Sequence, residues 1–268
     1  MPALFDSHCH LYAEQFKQDL KEVILRAQEH SVKHIMVPAE NILSSQSTIN
    51  LCASYKNVRL YAAVGIHPEY AGEEISRVGE LNELVASKQV LAVGEIGLDY
   101  YWMNSEKDIQ QQVFVKCLEL ARNVEKPVII HNRESTADML AILHDWTEGI
   151  PTDSRLKRYT GVLHAFNGDQ DILEFARTSG FYIGVGGPVT FKNARQLQAT
   201  IPHIPLNKLL IETDSPYLAP HPRRGERNEP AHVRFVAQKI ADILENDVEA
   251  IVKITTRNAL ELFNIQGV

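Results

Sequence analysis

The chain has 268 residues, of which 44% are hydrophobic and 23% are charged, and its formal net charge is −7. This composition is typical of a soluble globular protein with one large core, and no run approaches the roughly 20 apolar residues that span a membrane. The net acidity excludes binding of nucleic acid through a global positive field, so any such binding must be local.

Short runs rich in Val, Ile and Leu alternate with longer amphipathic stretches, which is the pattern of βα units around a parallel sheet. In chain order, the predicted strands are ALFDSH, KHIMVPA, RLYAAVGIH, VLAVGEI, PVIIH, GVLHAF, FYIGVGG and KLLIETD. The predicted helices include residues 15–31, 44–55, 105–124, 169–179, 194–201, 231–244 and 248–263. Eight strands separated by helices predict an α/β fold, a (β/α)8 TIM barrel that forms a single domain over residues 1–268.

Polar residues at the ends of the predicted strands favour a barrel over a doubly wound open sheet. In a barrel, the carboxyl ends of all strands meet at one mouth, whereas an open sheet would scatter the same groups along an edge. Isolated polar groups at buried strand ends are costly unless something binds them, and carboxylates mixed with imidazoles suit a divalent metal. The pattern therefore predicts a metal-dependent hydrolase.

The tripeptide HCH near the N-terminus is the sharpest local signal. Alternate side chains of a strand share a face, so His8 and His10 point together and Cys9 points away from them. HxH also occurs by chance as a surface pair of histidines, and the pattern alone leaves both interpretations open.

Four more polar residues follow apolar runs, and each has a structural alternative. Glu95 can bridge two cations with its two oxygens, although a salt bridge would also account for a carboxylate there. His131 and His164 occupy matching positions on successive strands, where a lone histidine is more often a hydrogen-bonded core residue. Asp214 is a candidate ligand and a candidate group to orient or deprotonate water, or it caps a turn before Ser-Pro.

The three cysteines bear on the cellular compartment and not on the proposed metal site. Cys9, Cys52 and Cys117 are odd in number, far apart and not in CxxC spacing, which argues against a disulfide framework or a structural zinc knuckle. The N-terminal MPALFDSHCH has no basic segment followed by an apolar stretch, so we expect no secretory signal. These features predict a cytoplasmic protein with no membrane association and no obligate protein partner.

Seven motifs, in order, resemble those of one family. They are HCH, GIHP, GEIGLDYY, IIHNRE, LHAFNG, ETDSPYL and PRRGERNEP, and they span nearly the whole chain. Together they are similar to the motifs of the TatD family of metal-dependent deoxyribonucleases. The segments HNRE and AFNG depart from the more common HSRE and CFSG, which removes no proposed ligand but alters the residues around the ligands.

The resemblance implies a TIM barrel of the amidohydrolase-like kind with two divalent metal ions. Carried over by position, one ion is bound by His8, His10, Glu95 and Asp214, and the other by Glu95, His131 and His164. His67 and Arg133 correspond to family positions near the scissile phosphate. For Arg133, pairing with Asp99 or Glu134 is the structural alternative.

The resemblance also implies a substrate, namely DNA, and the residues suggest where it binds. The expected reaction is 3'-to-5' hydrolysis of single-stranded DNA, with catalytic roles for Asp214, Glu95 and His67. Arg223, Arg224 and Arg227 follow the last strand and could contact the substrate, unless they only form a solvated surface. The aromatic residues that follow Asp99 could stack on unpaired bases or pack against the barrel rim, and they are Tyr100, Tyr101 and Trp102.

The identity of the metal and two other functions stay open at this stage. Histidine ligands favour zinc or manganese, whereas the family resemblance implies magnesium, so all three are candidates. The same site could hydrolyse a carboxylic ester or an amide, including an aminoacyl-tRNA ester. A noncatalytic metal-binding barrel is the third hypothesis.

Overall fold

The computed structural model describes residues 2–55 and 58–266. Eight strands form one parallel sheet in the order β1 to β8, so every strand pairs with its neighbour in the sequence. The strands are β1 Leu4–Asp6, β2 Val32–Pro38, β3 Arg59–Val64, β4 Val90–Asp99, β5 Val128–Arg133, β6 Gly161–Leu163, β7 Phe181–Val185 and β8 Leu209–Ile211. The predicted (β/α)8 TIM barrel is confirmed.

The barrel closes where the chain beyond β1 meets the chain beyond β8. The backbone N–H of Ser7 donates to the carbonyl of Ile211 at 3.1 Å, and Cys9 forms an isolated parallel bridge with Ser215. Between these contacts, Asp6 accepts hydrogen bonds from the backbone N–H and the hydroxyl of Thr213, at 2.9 and 2.6 Å. Closure therefore brings the first and the last predicted ligands to the same place.

Within residues 2–55 and 58–266, ten α-helices connect the strands or follow them. They are α1 Leu20–Glu29, α2 Ile42–Ser54, α3 Ala71–Glu74, α4 Leu81–Leu84, α5 Lys107–Asn123, α6 Thr136–Glu148, α7 Gln170–Thr178, α8 Arg195–Thr200, α9 Val233–Ile243 and α10 Val248–Leu262. The predicted helices correspond to α1, α2, α5 and α7 to α10. Among the described residues, no helix is both long and apolar enough to pass through a membrane.

Two apolar layers build the core. The outer layer lies between the sheet and the helices, and the inner layer fills the barrel with one side chain from each strand, together with residues of α10. The strand residues of the inner layer are Phe5, Met36, Ala63, Ala92, Ile129, Val162, Tyr182 and Leu210. Helix α10 therefore covers the amino-terminal end of the barrel and leaves the carboxyl-terminal end open.

The inner layer also positions the polar residues above it. Because side chains two residues apart share a face of a strand, His131 follows Ile129 into the barrel, and His164 follows Val162 in the same way. A floor of packed apolar side chains thus lies directly beneath the polar groups, which are held in a buried environment at the mouth.

Candidate metal centre

The structure brings all seven of the predicted central residues to the carboxyl-terminal mouth of the barrel. They come from the ends of six different strands; five of the seven are buried, while His131 and Asp214 are partly buried. These residues are His8, His10, His67, Glu95, His131, His164 and Asp214. The prediction that barrel closure would collect them from distant parts of the sequence is consistent with this arrangement.

His8 and His10 lie just beyond β1, on either side of Cys9, which forms the isolated bridge with Ser215. Their Nε2 atoms are 3.1 Å apart, so both rings point to one spot. Cys9 packs into the outer apolar layer and is fully buried. The two histidines therefore share a direction, and the thiol between them belongs to the core, as the alternation predicted.

Glu95 lies between two groups of imidazoles and presents a different oxygen to each. Its Oε2 lies 3.2 Å from Nε2 of His8 and 3.7 Å from Nε2 of His10. Its Oε1 lies 2.9 Å from Nδ1 of His131 and 2.9 Å from Nε2 of His164. This geometry divides the histidines into two pairs around one carboxylate, which is the division that the family resemblance implied.

Asp214 completes the first of these groups. Its Oδ1 lies 3.4 Å from Nε2 of His10 and 3.8 Å from Nε2 of His8. The backbone of Asp214 has φ = 57°, a left-handed conformation that is rare outside glycine and that Asp tolerates better than most residues. Its N–H donates to the carbonyl of His8, which holds this turn against the HCH segment.

Gly97 allows β4 to approach β5 closely enough for Glu95 to reach His131. A Cβ at position 97 would lie 2.0 Å from the carbonyl oxygen of His131, and its φ of 146° is one that side-chain-bearing residues rarely adopt. Gly97, the second glycine of GEIG, is therefore required, because the backbone of β5 leaves no space for a side chain there.

The electrostatics of the centre favour ionised carboxylates. Burial alone would raise the pKa of Glu95, but the nearby charges of His164 and His8 outweigh burial and hold the pKa well below its usual range. Burial likewise opposes ionisation of Asp214, and a hydrogen bond from His10 lowers the pKa of that carboxyl. The centre therefore has two negative charges in a desolvated pocket that need cationic partners.

The chemistry of the donor set fits divalent cations. Both ring nitrogens of the buried His164 lack a hydrogen bond of acceptable geometry within the described residues, although Nε2 lies 2.9 Å from Glu95 Oε1, and a bound cation would account for such an unpartnered buried group. Three overlapping sets of side chains are close enough to hold an ion, namely His8 with His10 and Glu95, His8 with His164 and Asp214, and His67 with Glu95 and His131. Imidazole and carboxylate donors in this arrangement suit Zn²⁺ or Mn²⁺, and the carboxylates also suit Mg²⁺.

His67 faces the centre from the loop after β3. Its Nε2 lies 3.7 Å from Glu95 Oε1, and burial with the nearby charge of His131 lowers its pKa to about 3. Its Nδ1 accepts a hydrogen bond from the backbone N–H of Glu69, so the neutral ring carries its proton on Nε2. The tautomer thus leaves an N–H donor directed into the site.

Two buried acids around the centre were not among the predicted site residues. Asp99 lies 3.0 Å from Nε2 of His131, and Glu212 lies 3.4 Å from Nδ1 of His164. Both contact the ring nitrogen that faces away from Glu95, which is the usual position of a residue that orients a metal ligand. Glu212 is two residues from Asp214, so the period-two rule used for HCH would have found it.

The predicted substrate residues have different surroundings. Tyr100 donates its hydroxyl to Asp138, and Arg227 pairs with Asp19, while Arg223 pairs with Glu226. In contrast, the guanidinium of Arg133 lies over aromatic rings at the mouth, and in the described part of the chain neither Asp99 nor Glu134 pairs with it. The substrate contacts of these four residues stay predictions.

Comparison with known proteins decides the family. A family model described as TatD related DNase matches residues 5–264. The chain belongs to the TatD family. It is 42% identical over 263 residues to YabD of Bacillus subtilis, an uncharacterized metal-dependent hydrolase, and this match covers 98% of the chain and 99% of YabD.

Two further TatD relatives extend the comparison. The 3'-5' ssDNA/RNA exonuclease TatD of Edwardsiella piscicida is 32% identical over 268 residues, which cover 98% of the chain and all of that protein. The crystal structure of YjjV, a TatD homologue from Escherichia coli, superposes with a TM-score of 0.89 at 29% identity and covers 98% of each chain. The protein is a metal-dependent hydrolase of the TatD family, as its motifs predicted.

Proposed function

We propose that this hydrolase cleaves phosphodiester bonds of single-stranded DNA from the 3' end, with two divalent ions that share Glu95. The observation that carries the proposal is the position of this carboxylate, whose two oxygens face two separate pairs of imidazoles. A bridged pair of cations is the arrangement that binds a phosphate and stabilises the extra negative charge of its hydrolysis.

The proposed ligands follow the two groups described above. The first ion would be held by His8, His10, Glu95 and Asp214, and the second by Glu95, His131 and His164. Bound there, the ions would polarise the phosphate and lower the pKa of a water molecule. Mg²⁺, Mn²⁺ and Zn²⁺ are the candidate metals.

The protein's own groups supply the proton transfers and the orientation. Asp214 is ionised and partly exposed to the mouth, so it can accept the proton of an attacking water. Nε2–H of His67 can donate to a phosphate oxygen or to the leaving group, because its neutral tautomer holds the proton on that side. The apolar floor of the barrel excludes bulk water from beneath the reacting atoms.

One physical argument and one comparison support DNA as the substrate of a protein with a net charge of −7. Cations bound at the mouth would supply attraction for phosphate at the place where it reacts. A relative that covers the same length as this chain is named as an exonuclease of single-stranded DNA and RNA. The proposal needs no protein partner.

The test is incubation of metal-loaded protein with end-labelled single-stranded DNA, double-stranded DNA and RNA, alongside bis(p-nitrophenyl) phosphate and a carboxylic ester. We expect metal-dependent release of nucleotides from the 3' end of single-stranded DNA, lost on chelation and reduced by at least ~100-fold in Asp214→Asn. Asp145→Asn, an exposed position on α6, is the matched control. Hydrolysis of the carboxylic ester alone, or binding of DNA without turnover, would contradict the proposal.

A further inference from the structure

Two exposed aromatic side chains project from the loop after β4, beside the metal centre. Tyr101 and Trp102 are 50% and 55% exposed, and their ring centroids are 4.9 Å apart at an interplanar angle of 89°. Exposed aromatic rings are costly in water, and side chains that only packed against the barrel rim would be buried. Tyr100 illustrates the difference, because its hydroxyl is fixed by Asp138 and its ring by Lys107.

A guanidinium completes this cluster. The Cζ atom of Arg133 lies 4.0 Å from the ring centroid of Tyr101 and 5.3 Å from that of Trp102, within cation–π distance of both. Arg133 is itself exposed, and none of the acids in the described parts of the chain forms an ion pair with it. The two rings and the guanidinium thus form one cluster with an unpaired positive charge, which we call the aromatic platform.

The platform is tied to the metal centre by Asp99. One carboxylate oxygen accepts the backbone N–H groups of Tyr101 and Trp102, each at 2.9 Å, and the other lies 3.0 Å from Nε2 of His131. Arg133 approaches from the other side, two residues beyond His131 on β5. The two rings are therefore linked through Asp99 to His131, a proposed metal ligand, and Arg133 lies on the same strand as His131.

The loop that carries the two rings is closed at its base by one buried residue. The amide of Gln110 donates to the carbonyls of Asp99 and Ser105, at 2.9 and 2.8 Å, and accepts from the N–H of Asp99. Because both ends of the loop are bound to the same side chain, ordering it on binding costs little conformational entropy. The platform is preorganised.

We propose that the aromatic platform is a binding subsite for an unpaired nucleobase, with Arg133 contacting the adjacent phosphate. Aromatic rings stack on any base, and a guanidinium adds attraction for the base and for the backbone. The subsite deepens the proposed function, on which it rests for its substrate class. It would hold a single-stranded nucleic acid next to the metal centre and leave the paired bases of a duplex unengaged.

The chain has two tryptophans, which permits a direct measurement of stacking. Trp102 is exposed at the mouth, whereas Trp146 is 4% exposed in α6. Quenching by an oligonucleotide therefore reports on Trp102. We expect oligo-dT to quench the fluorescence of the chelator-treated protein, and an abasic oligonucleotide of the same length and charge to leave most of the fluorescence unquenched. Equal quenching by both would mean attraction by charge alone and would overturn the proposal.

Variants provide the second arm. Trp102→Ala should weaken binding of labelled oligo-dT by at least ~5-fold in fluorescence anisotropy. In the metal-loaded protein it should raise KM for single-stranded DNA without a comparable change in kcat. Leu25→Ala, which is also 55% exposed but lies on α1, is the control.

The two arms separate this proposal from the proposed function. Weaker oligo-dT binding by Trp102→Ala supports the platform even if the metal-loaded protein never cleaves DNA, because the binding assay needs no turnover. Cleavage of DNA with an unchanged KM and an unchanged affinity in Trp102→Ala would leave the nuclease assignment in place and overturn the platform.

Discussion

Asp99 controls the orientation of His131. Its carboxylate lies 3.0 Å from Nε2 of His131 and leaves Nδ1 to face Glu95 at 2.9 Å. A carboxylate in this position fixes the ring tautomer, so that the lone pair on Nδ1 points to the proposed second ion. Burial raises the pKa of Asp99, but hydrogen bonds from His131 and from the backbone N–H groups of the loop outweigh burial and lower this pKa.

Replacement of this acid should therefore act on metal binding. In Asp99→Asn, an amide N–H₂ turned toward Nε2–H would oppose donor to donor, and we expect the affinity for the second metal to fall by roughly 10- to 100-fold. Titration calorimetry with Mn²⁺ measures this effect. Asp108→Asn, an exposed acid on α5, should bind metal like the unaltered protein; equal affinities in all three would show that Asp99 does not orient the ligand.

At the residue scale, sequence patterns predicted the polar residues at the ends of apolar runs, but not the residues that orient these polar side chains. His131 and Glu95 are conspicuous because a polar group follows several apolar residues. Asp99 follows Leu98 in the same strand, yet its role depends on a contact with β5, which the sequence of β4 does not encode. For Arg133, the structural alternative to a phosphate contact was a pairing with Asp99 or Glu134, whereas the fold directs its guanidinium to the rings of Tyr101 and Trp102.

At the scale of elements, the amino-terminal end of the barrel contains an unusual buried histidine. His34 of β2 is 1% exposed and lies near-parallel to the rings of Phe5 and Tyr61, at centroid distances of 5.5 and 6.0 Å. Its Nδ1 contacts the hydroxyl of Tyr61, and its Nε2 has no hydrogen-bond partner among the residues that the structure describes. Burial, together with the charge of Arg59, lowers the pKa of His34 to about 4.

This shift predicts a loss of stability in acid. His34 is neutral in the folded protein and titrates near 6.5 when unfolded, so its contribution is present above pH 6.5 and is lost as the pH falls toward 4. Between pH 7 and pH 4.5 the free energy of unfolding should decrease by roughly 2 kcal/mol from this residue. The variant His34→Phe keeps an aromatic ring at this position. Its free energy of unfolding, measured by urea denaturation, should decrease less between pH 7 and pH 4.5 than that of the unaltered protein. An equal decrease in both proteins would exclude His34 as the cause.

The strands were more predictable than the helices. Each predicted strand overlaps an observed one, because buried parallel strands are short continuous apolar runs. Helix α6 was not among the predicted helices, although its buried residues Met139, Leu143 and Trp146 recur at the helical period. The predicted helix 15–31 begins late, at Leu20, because the preceding residues form a 3-10 turn at Glu14–Phe16.

At the scale of the whole molecule, the charge distribution limits how nucleic acid can bind. The chain is acidic overall; of the arginines in the loop after β8, Arg223 pairs with Glu226 and Arg227 with Asp19, whereas Arg224 lies over the ring of Phe191. At the mouth, the aromatic platform supplies one unpaired guanidinium. We therefore expect attraction for DNA to come from the bound metals and from a few guanidinium groups, Arg133 and Arg224 among them.

We therefore expect the affinity for single-stranded DNA to depend only weakly on the salt concentration. For single strands the slope of log Kobs against log [salt] is about −0.7 for each phosphate neutralised, so two or three contacts predict a slope of about −2. Anisotropy titrations of labelled oligo-dT at several NaCl concentrations measure it, and Arg133→Gln should make the slope shallower by about 0.7. A slope of about −5 would require a basic surface elsewhere on the molecule.

The central claim is that two cations share Glu95 at the mouth of the barrel. Anomalous diffraction from crystals grown with Mn²⁺ tests it most directly. We predict two peaks, one among Glu95 Oε2, His8, His10 and Asp214, and the other among Glu95 Oε1, His131 and His164. A single peak, or peaks that do not contact Glu95, would contradict the account.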